Sequence, residues 1–176
     1  VGTLAAAAGY MIASASDHIV ARKSSIVGSI GVLVQFPNFT GLMDKIGIQL
    51  DEIKSSPLKA EPSPFNPTTE PEQAMIRSMI LDSYDWFVGL VQQRRPLTRE
   101  QVLAVADGSV FTGRQALEKK LVDSLGGEQE AIGWLATRGV DAELRVIEWK
   151  PKSGGASFLL SEAAARQLGR LFGLPD

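Results

Sequence analysis

One histidine, no cysteine and a lysine set among prolines are the groups around which any chemistry in this 176-residue chain must be built. The absence of cysteine excludes thiolate nucleophiles, disulfides and cysteine-ligated metal. A lone His18 excludes a multi-histidine site, and no acidic cluster suggests a carboxylate cage for a hard cation. No metal and no cofactor are therefore expected. In a histidine-based hydrolase a separate carboxylate orients the imidazole. Asp17 is the sequence neighbour of His18, but adjacent side chains on a strand project to opposite faces, so His18 reads as a locally hydrogen-bonded residue at a strand start. A histidine-free base is also chemically available. A desolvated lysine loses its proton well below its ordinary value of ~10.4 and can then accept one from a serine hydroxyl. Lys59, between Pro57-Leu58 and Ala60 and followed by Pro62 and Pro64, has the stiffened backbone such a lysine needs. Loop lysines are ordinarily solvated, and the residues alone leave both roles open.

The elements that would position these groups alternate between helix and strand. Thr3–Ser16 is almost wholly small or apolar and reads as a helix buried over most of its circumference. Asp17–Ala21 and Ile30–Val34 are short β-branched runs and read as buried strands. A helix is expected near Phe39–Ile46 and a strand near Gln49–Lys54. Lys54–Pro67 carries Pro57, Pro62, Pro64 and Pro67, which excludes regular structure and predicts a loop or extended arm. Thr69-Glu-Pro-Glu opens the longest helix, reaching Arg94 or Arg95. Thr98-Arg-Glu-Gln and Thr112-Gly-Arg-Gln are capping boxes that predict two short helices. Leu125-Gly-Gly127 reads as a turn, Glu130–Arg138 as a helix and Glu143–Trp149 as an alternating strand. A Gly/Ser linker over 150–157 and an amphipathic helix over 161–172 complete the chain. The fold class is α/β.

Four ordered motifs carry a family resemblance. Val1-Gly-Thr-Leu-Ala-Ala-Ala-Ala-Gly-Tyr10 resembles the nucleophile motif of the signal peptide peptidase A (protease IV) family, with alanine, Ala7, where the serine falls. Asp17–Ala21 with Gly28-Ser-Ile-Gly-Val32 resembles the strand and glycine-serine motif that come next. Pro57–Phe65 resembles the catalytic-lysine segment, and Val110–Ala116 with Leu121–Gly127 the later signature. The likeness covers Val1 to Gly127 and is generic beyond. It implies a caseinolytic-protease/crotonase-like fold and a Ser-Lys peptidase: position 7 as nucleophile, Lys59 as general base, Ser29 as the residue orienting that lysine, and the Ala8 N–H as one oxyanion donor. The alternative for Ser29 is a turn serine capping its own backbone. The family's second oxyanion donor comes from an upstream loop absent from this chain.

The same resemblance implies peptide substrates such as signal peptide remnants, a homo-oligomer sharing active sites between subunits, and the extracytoplasmic side of the bacterial inner membrane. Anchoring would come through a segment upstream of Val1, since a start without methionine inside an apolar stretch suggests missing sequence. Residues 1–150 would be the C-terminal part of the peptidase domain and 151–176 a linker with a terminal helix. With 18 basic and 20 acidic side chains, a net charge of −2 supports no nucleic-acid partner. Because a methyl group cannot attack a carbonyl, the chain as written should form no acyl-enzyme. An introduced serine-to-alanine change and a naturally inactive homologue both account for Ala7, and the retained Lys59 favours the first. A non-catalytic peptide-binding scaffold is the alternative function. An acyl-CoA enzyme of the crotonase type finds no matching motif.

Overall fold

The computed structural model describes residues 1–147. Eleven elements lie within the compact unit Val1–Ala142: β1 (Leu4–Ala6), α1 (Ala8–Ser14), β2 (Val20–Ala21), β3 (Ile26–Gly28), α2 (Thr40–Ile46), α3 (Glu70–Arg94), α4 (Arg99–Leu103), β4 (Val110–Thr112), α5 (Gly113–Glu118), β5 (Ser124–Leu125) and α6 (Glu128–Thr137). The α/β class expected from the sequence is present, with a mixed sheet at its centre. In it β3 pairs in parallel with β1 and antiparallel with β4, while β2 and β5 form a second, parallel pair.

The expected helix over 3–16 is in fact two elements. Alanine favours helix, but Leu4, Ala5 and Ala6 pair with Ile26, Val27 and Gly28, so tertiary pairing overrides local propensity. Ala7 then reverses the chain at φ 49° and ψ −119°, and α1 begins at Ala8. The expected strand at Ile30–Val34 is displaced upstream to Ile26–Gly28. Gly28 and Ser29, at φ 108° and φ 51°, break the extended backbone before Ile30. No strand forms at 49–54 or over the described residues 143–147. The terminal linker and helix expected beyond 150 lie outside the described residues.

Local signals fared better. The α3 helix is led by Thr69, whose amide donates to the Glu72 carboxylate. Thr98 and Thr112 each accept from the amide three residues on, and the Gln101 and Gln115 side chains bond back to the cap amides. Both boxes therefore satisfy two helix-end donors reciprocally.

The core packs Tyr10, Val27 and Ile30 against Phe87 and Val91 of α3 and Leu121 of the loop after α5. Its polar centre is Arg95. The guanidinium grips both Asp123 oxygens at 2.8 and 2.9 Å and donates through Nε to the Lys120 carbonyl. Asp123 also accepts from the Ile19 amide at 2.7 Å. One residue pair thereby ties the end of α3 to the entry of β2 and the segment before β5. Alongside, the fully buried Tyr10 hydroxyl donates to Leu121 O at 2.8 Å. Burial pushes the Tyr10 phenol well above its ordinary range, with Arg95 opposing and Asp123 reinforcing, so it stays a neutral donor. Burial also acts to raise the Asp123 carboxyl. The Arg95 hydrogen bonds and the Ile19 amide outweigh it and hold that carboxyl below the usual range.

Asp123→Asn should leave the buried Arg95 charge uncompensated and lower unfolding free energy by about 3 kcal/mol at pH 7. A depressed folded-state pKa stabilises above the unfolded value of ~3.9 and is lost as pH falls through the folded value. The gap between parent and variant in urea unfolding should therefore narrow toward pH 3. A gap equally wide at both pH values would assign the loss to packing instead.

Candidate active site

The register of the central sheet builds the site. Because Ala6 faces Gly28 across the parallel pair, the next residues on the two strands, Ala7 and Ser29, emerge side by side at its end. The Ala7 amide donates to Gly28 O at 3.0 Å and completes the junction. On the other side, β4 runs antiparallel to β3, and the pairing continues past the strand through Ser29 N to Ser109 O at 2.8 Å and Gly108 N to Ile30 O at 3.1 Å. That brings Asp107 and Gly108 to the same place. The crossing requires glycine at position 28, where an added Cβ would stand 2.9 Å from Ser109 O and 3.0 Å from the Phe111 ring.

These segments floor a cleft of about 600 Å³ lined by Ala7, Met11, Ser29, Gly31, Val32, Leu33, Tyr84, Ala106, Asp107 and Gly108. Tyr84 is fixed there by its hydroxyl bond to Ala106 O at 2.7 Å. Position 7 is half-buried and stands between the end of a strand and the start of a helix. The Tyr10 and Met11 amides both return to Ala7 O, opening the first turn of α1. Ala8 and Gly9, the first two residues of that helix, have no carbonyl one turn earlier to bond to, and both are exposed. Their N–H groups, with the positive end of the helix dipole, suit an oxyanion forming beside position 7.

Ala7 and Ser29, both expected site residues, are thus brought together with Ala8 adjacent. Lys59 is not. It is exposed on the arm between α2 and α3, its amide closing a turn onto Ser56 O, and it does not line the Ala7 cleft. On this arm Lys54 pairs with Glu52 at 2.7 Å and with Glu61. Both partners hold the Lys54 ammonium above its usual range, the Glu52 hydrogen bond most strongly. The clustered phenyl rings of Phe39 and Phe65 lie 5.9 Å apart. His18 stands apart from the cleft. Its Nε2 bonds the Ser124 hydroxyl at 2.9 Å and its ring stacks on Trp134, so its partner is 106 residues distant and not local as expected. The cleft residues Tyr84 and Asp107 had no signal in the sequence beyond their type, since only the β3–β4 register and the α3 packing deliver them.

Residues 1–143 match the model of peptidase family S49. The chain is 42% identical over 151 residues to a protein of Synechocystis sp. provisionally named a protease, covering 84% of this chain and 54% of that one. It is 35% identical over 151 residues to an Enterococcus faecium protein provisionally named signal peptide peptidase SppA, covering 86% and 44%. It is 34% identical over 184 residues to Protease 4 of Haemophilus influenzae, covering 99% and 30%. This chain belongs to peptidase family S49, the family of signal peptide peptidase A. It spans about half or less of the length of these relatives. Among the described residues, no helix is long and apolar enough to cross a membrane and no cluster of side chains is arranged to hold a metal.

A non-glycine residue at φ 49° and ψ −119° stores about 1–3 kcal/mol of strain. Ala7→Gly should release it against the smaller entropic cost of glycine, raising unfolding free energy by about 1 kcal/mol, whereas Ala7→Ser should change it little. Calorimetric melting of the three forms checks this. A glycine form less stable than the parent would mean that the reversal is not strained.

Proposed function

We propose that this chain is the nucleophile-bearing part of a serine endopeptidase with a Ser-Lys dyad and a caseinolytic-protease/crotonase-like fold. In this form it is silenced by alanine at position 7. The observation that carries the reading is Ala7 itself, held in a strained strand-to-helix reversal at the floor of a cleft, beside Ser29 and below the first amides of α1. A methyl group has no use for such a setting. A serine there would have its hydroxyl at the cleft and an oxyanion donor next to it.

In the proposed reaction the hydroxyl at position 7 attacks the scissile carbonyl while the Lys59 amine takes its proton. The Ala8 N–H stabilises the tetrahedral oxyanion. Lys59 then protonates the departing amine, and water resolves the acyl-enzyme by the same path. Ser29 orients the lysine. Since Lys59 sits on an exposed arm away from its own chain's cleft, the base is supplied by another copy, and the site is completed in a homo-oligomer. The exposed apolar side chains of α2 and the segment after it, including Leu42, Ile46, Ile48 and Ile53, with no residue of α2 buried, support such an assembly. Substrates are extended peptides, signal peptide remnants among them, which suits the apolar side chains of Met11, Val32 and Leu33 in the cleft. The proposed location is the extracytoplasmic face of the bacterial inner membrane, reached through an upstream anchor. A non-catalytic peptide-binding scaffold is the second reading, favoured only by Ala7.

A serine-directed fluorophosphonate separates the two. Ala7→Ser, in the protein at its natural length, should be labelled while the alanine form is not. Adding Lys59→Ala should reduce labelling at least about 100-fold. An unlabelled Ala7→Ser protein would remove the peptidase reading and leave the scaffold.

A further inference from the structure

The cleft beside Ala7 is apolar along most of its wall, and Asp107 is the one charged residue among those that line it. Its position is set by the sheet. Continued beyond Gly28–Val110, the antiparallel register places Asp107 beside Gly31, and a Cβ added to Gly31 would already meet Gly108 at 3.4 Å. The carboxylate is therefore carried on a turn that crosses the cleft floor closely. Its orientation is fixed by the Ser109 amide, which donates to Oδ1 at 2.9 Å in a turn of the kind aspartate and asparagine both support. Asp107 is exposed, and no basic side chain forms an ion pair with it among the described residues of its own chain. The nearby Lys119 ammonium attracts the carboxylate only through space and lies 4.9 Å over the Phe111 ring. Hydrogen bonds from Ser109, side chain first and backbone next, keep the carboxyl below the usual range.

We propose that Asp107 is a specificity-determining residue, giving the cleft a preference for peptides that place a lysine or arginine side chain at the position nearest it, among otherwise apolar neighbours. The inference rests on the reading of this cleft as a peptide site. An exposed ion pair of this kind discriminates modestly, by about three- to fivefold against a neutral residue of similar length, and more against an acidic one.

The alanine form makes the measurement direct, because a peptide can bind without being cleaved. The probes are fluorescent apolar decapeptides, blocked at both ends, in which lysine, norleucine or glutamate is moved one position at a time. One position should show lysine bound about three- to fivefold more tightly than norleucine, with glutamate weakest, and the difference should shrink as salt is raised. Asp107→Asn keeps an acceptor for the Ser109 amide and so preserves the turn. It should abolish the charge preference while norleucine peptides bind as before. Uniform weakening of all peptides in Asp107→Asn would show a purely structural role and overturn the assignment. So would a preference that survives the substitution. Failure of every peptide to bind would instead sink the peptide-cleft reading itself, which the charge preference needs.

Discussion

Everything at the site descends from one register, the parallel pairing of Leu4–Ala6 with Ile26–Gly28. A parallel strand pair offers no freedom to slip by one residue without turning each side chain to the opposite face. With Ala6 opposite Gly28, the chain reversal at Ala7 and the kink at Ser29 must fall next to each other. The antiparallel third strand then carries Asp107 and Gly108 to the same edge. Four sequence-distant segments, around residues 7, 29, 84 and 107, converge because three short strands and one long helix leave them no other place.

The two halves of the proposed dyad are held by different kinds of force. Position 7 is tied into a dry core. Tyr10, one turn along α1, is fully buried and bonds the Leu121 carbonyl, and Leu121 adjoins the Asp123 carboxylate that Arg95 clamps. A strained backbone angle can persist at Ala7 because that surrounding structure over-determines it. Lys59, in contrast, rides on an arm whose ion pairs and ring contacts are with neighbours along the chain: Lys54 with Glu52 and Glu61, Asn66 with Glu52, Phe39 with Phe65. Exposed apolar side chains around the arm suit an interface, which is what supports the proposal that the lysine serves another copy's site.

Signals contained within three or four residues were readable from the sequence. The capping boxes at Thr98 and Thr112, the proline-led start of α3 and the proline-rich arm all occur where the residues predict them. Each is a reciprocal bond or a steric prohibition between near neighbours, so no distant contact can overturn it. The expectations that failed around the cleft involved partners far along the chain. Thr3–Ser16 has the composition of one buried helix, yet half of it is a strand and a turn because residues 26–28 pair with it. Ile30–Val34 is β-branched enough for a strand, but Gly28 and Ser29 take left-handed angles to meet Ser109 and Phe111. His18 found its partner in Ser124, which no local pattern points to.

By itself, then, the sequence determined the α/β class, the ordered motifs from Val1 to Gly127, and through them the family and the candidacy of Ala7, Ala8, Ser29 and Lys59 as site residues. Those are properties of residue type and spacing, which a chain displays before it folds. Only the tertiary structure decided which of these meet. It joins Ala7, Ala8 and Ser29 at one cleft, adds Tyr84 and Asp107, and leaves Lys59 outside on an exposed arm. The reason is that proximity between residues 7, 29 and 107 depends on strand register and chain reversal, and these are settled by long-range pairing and burial.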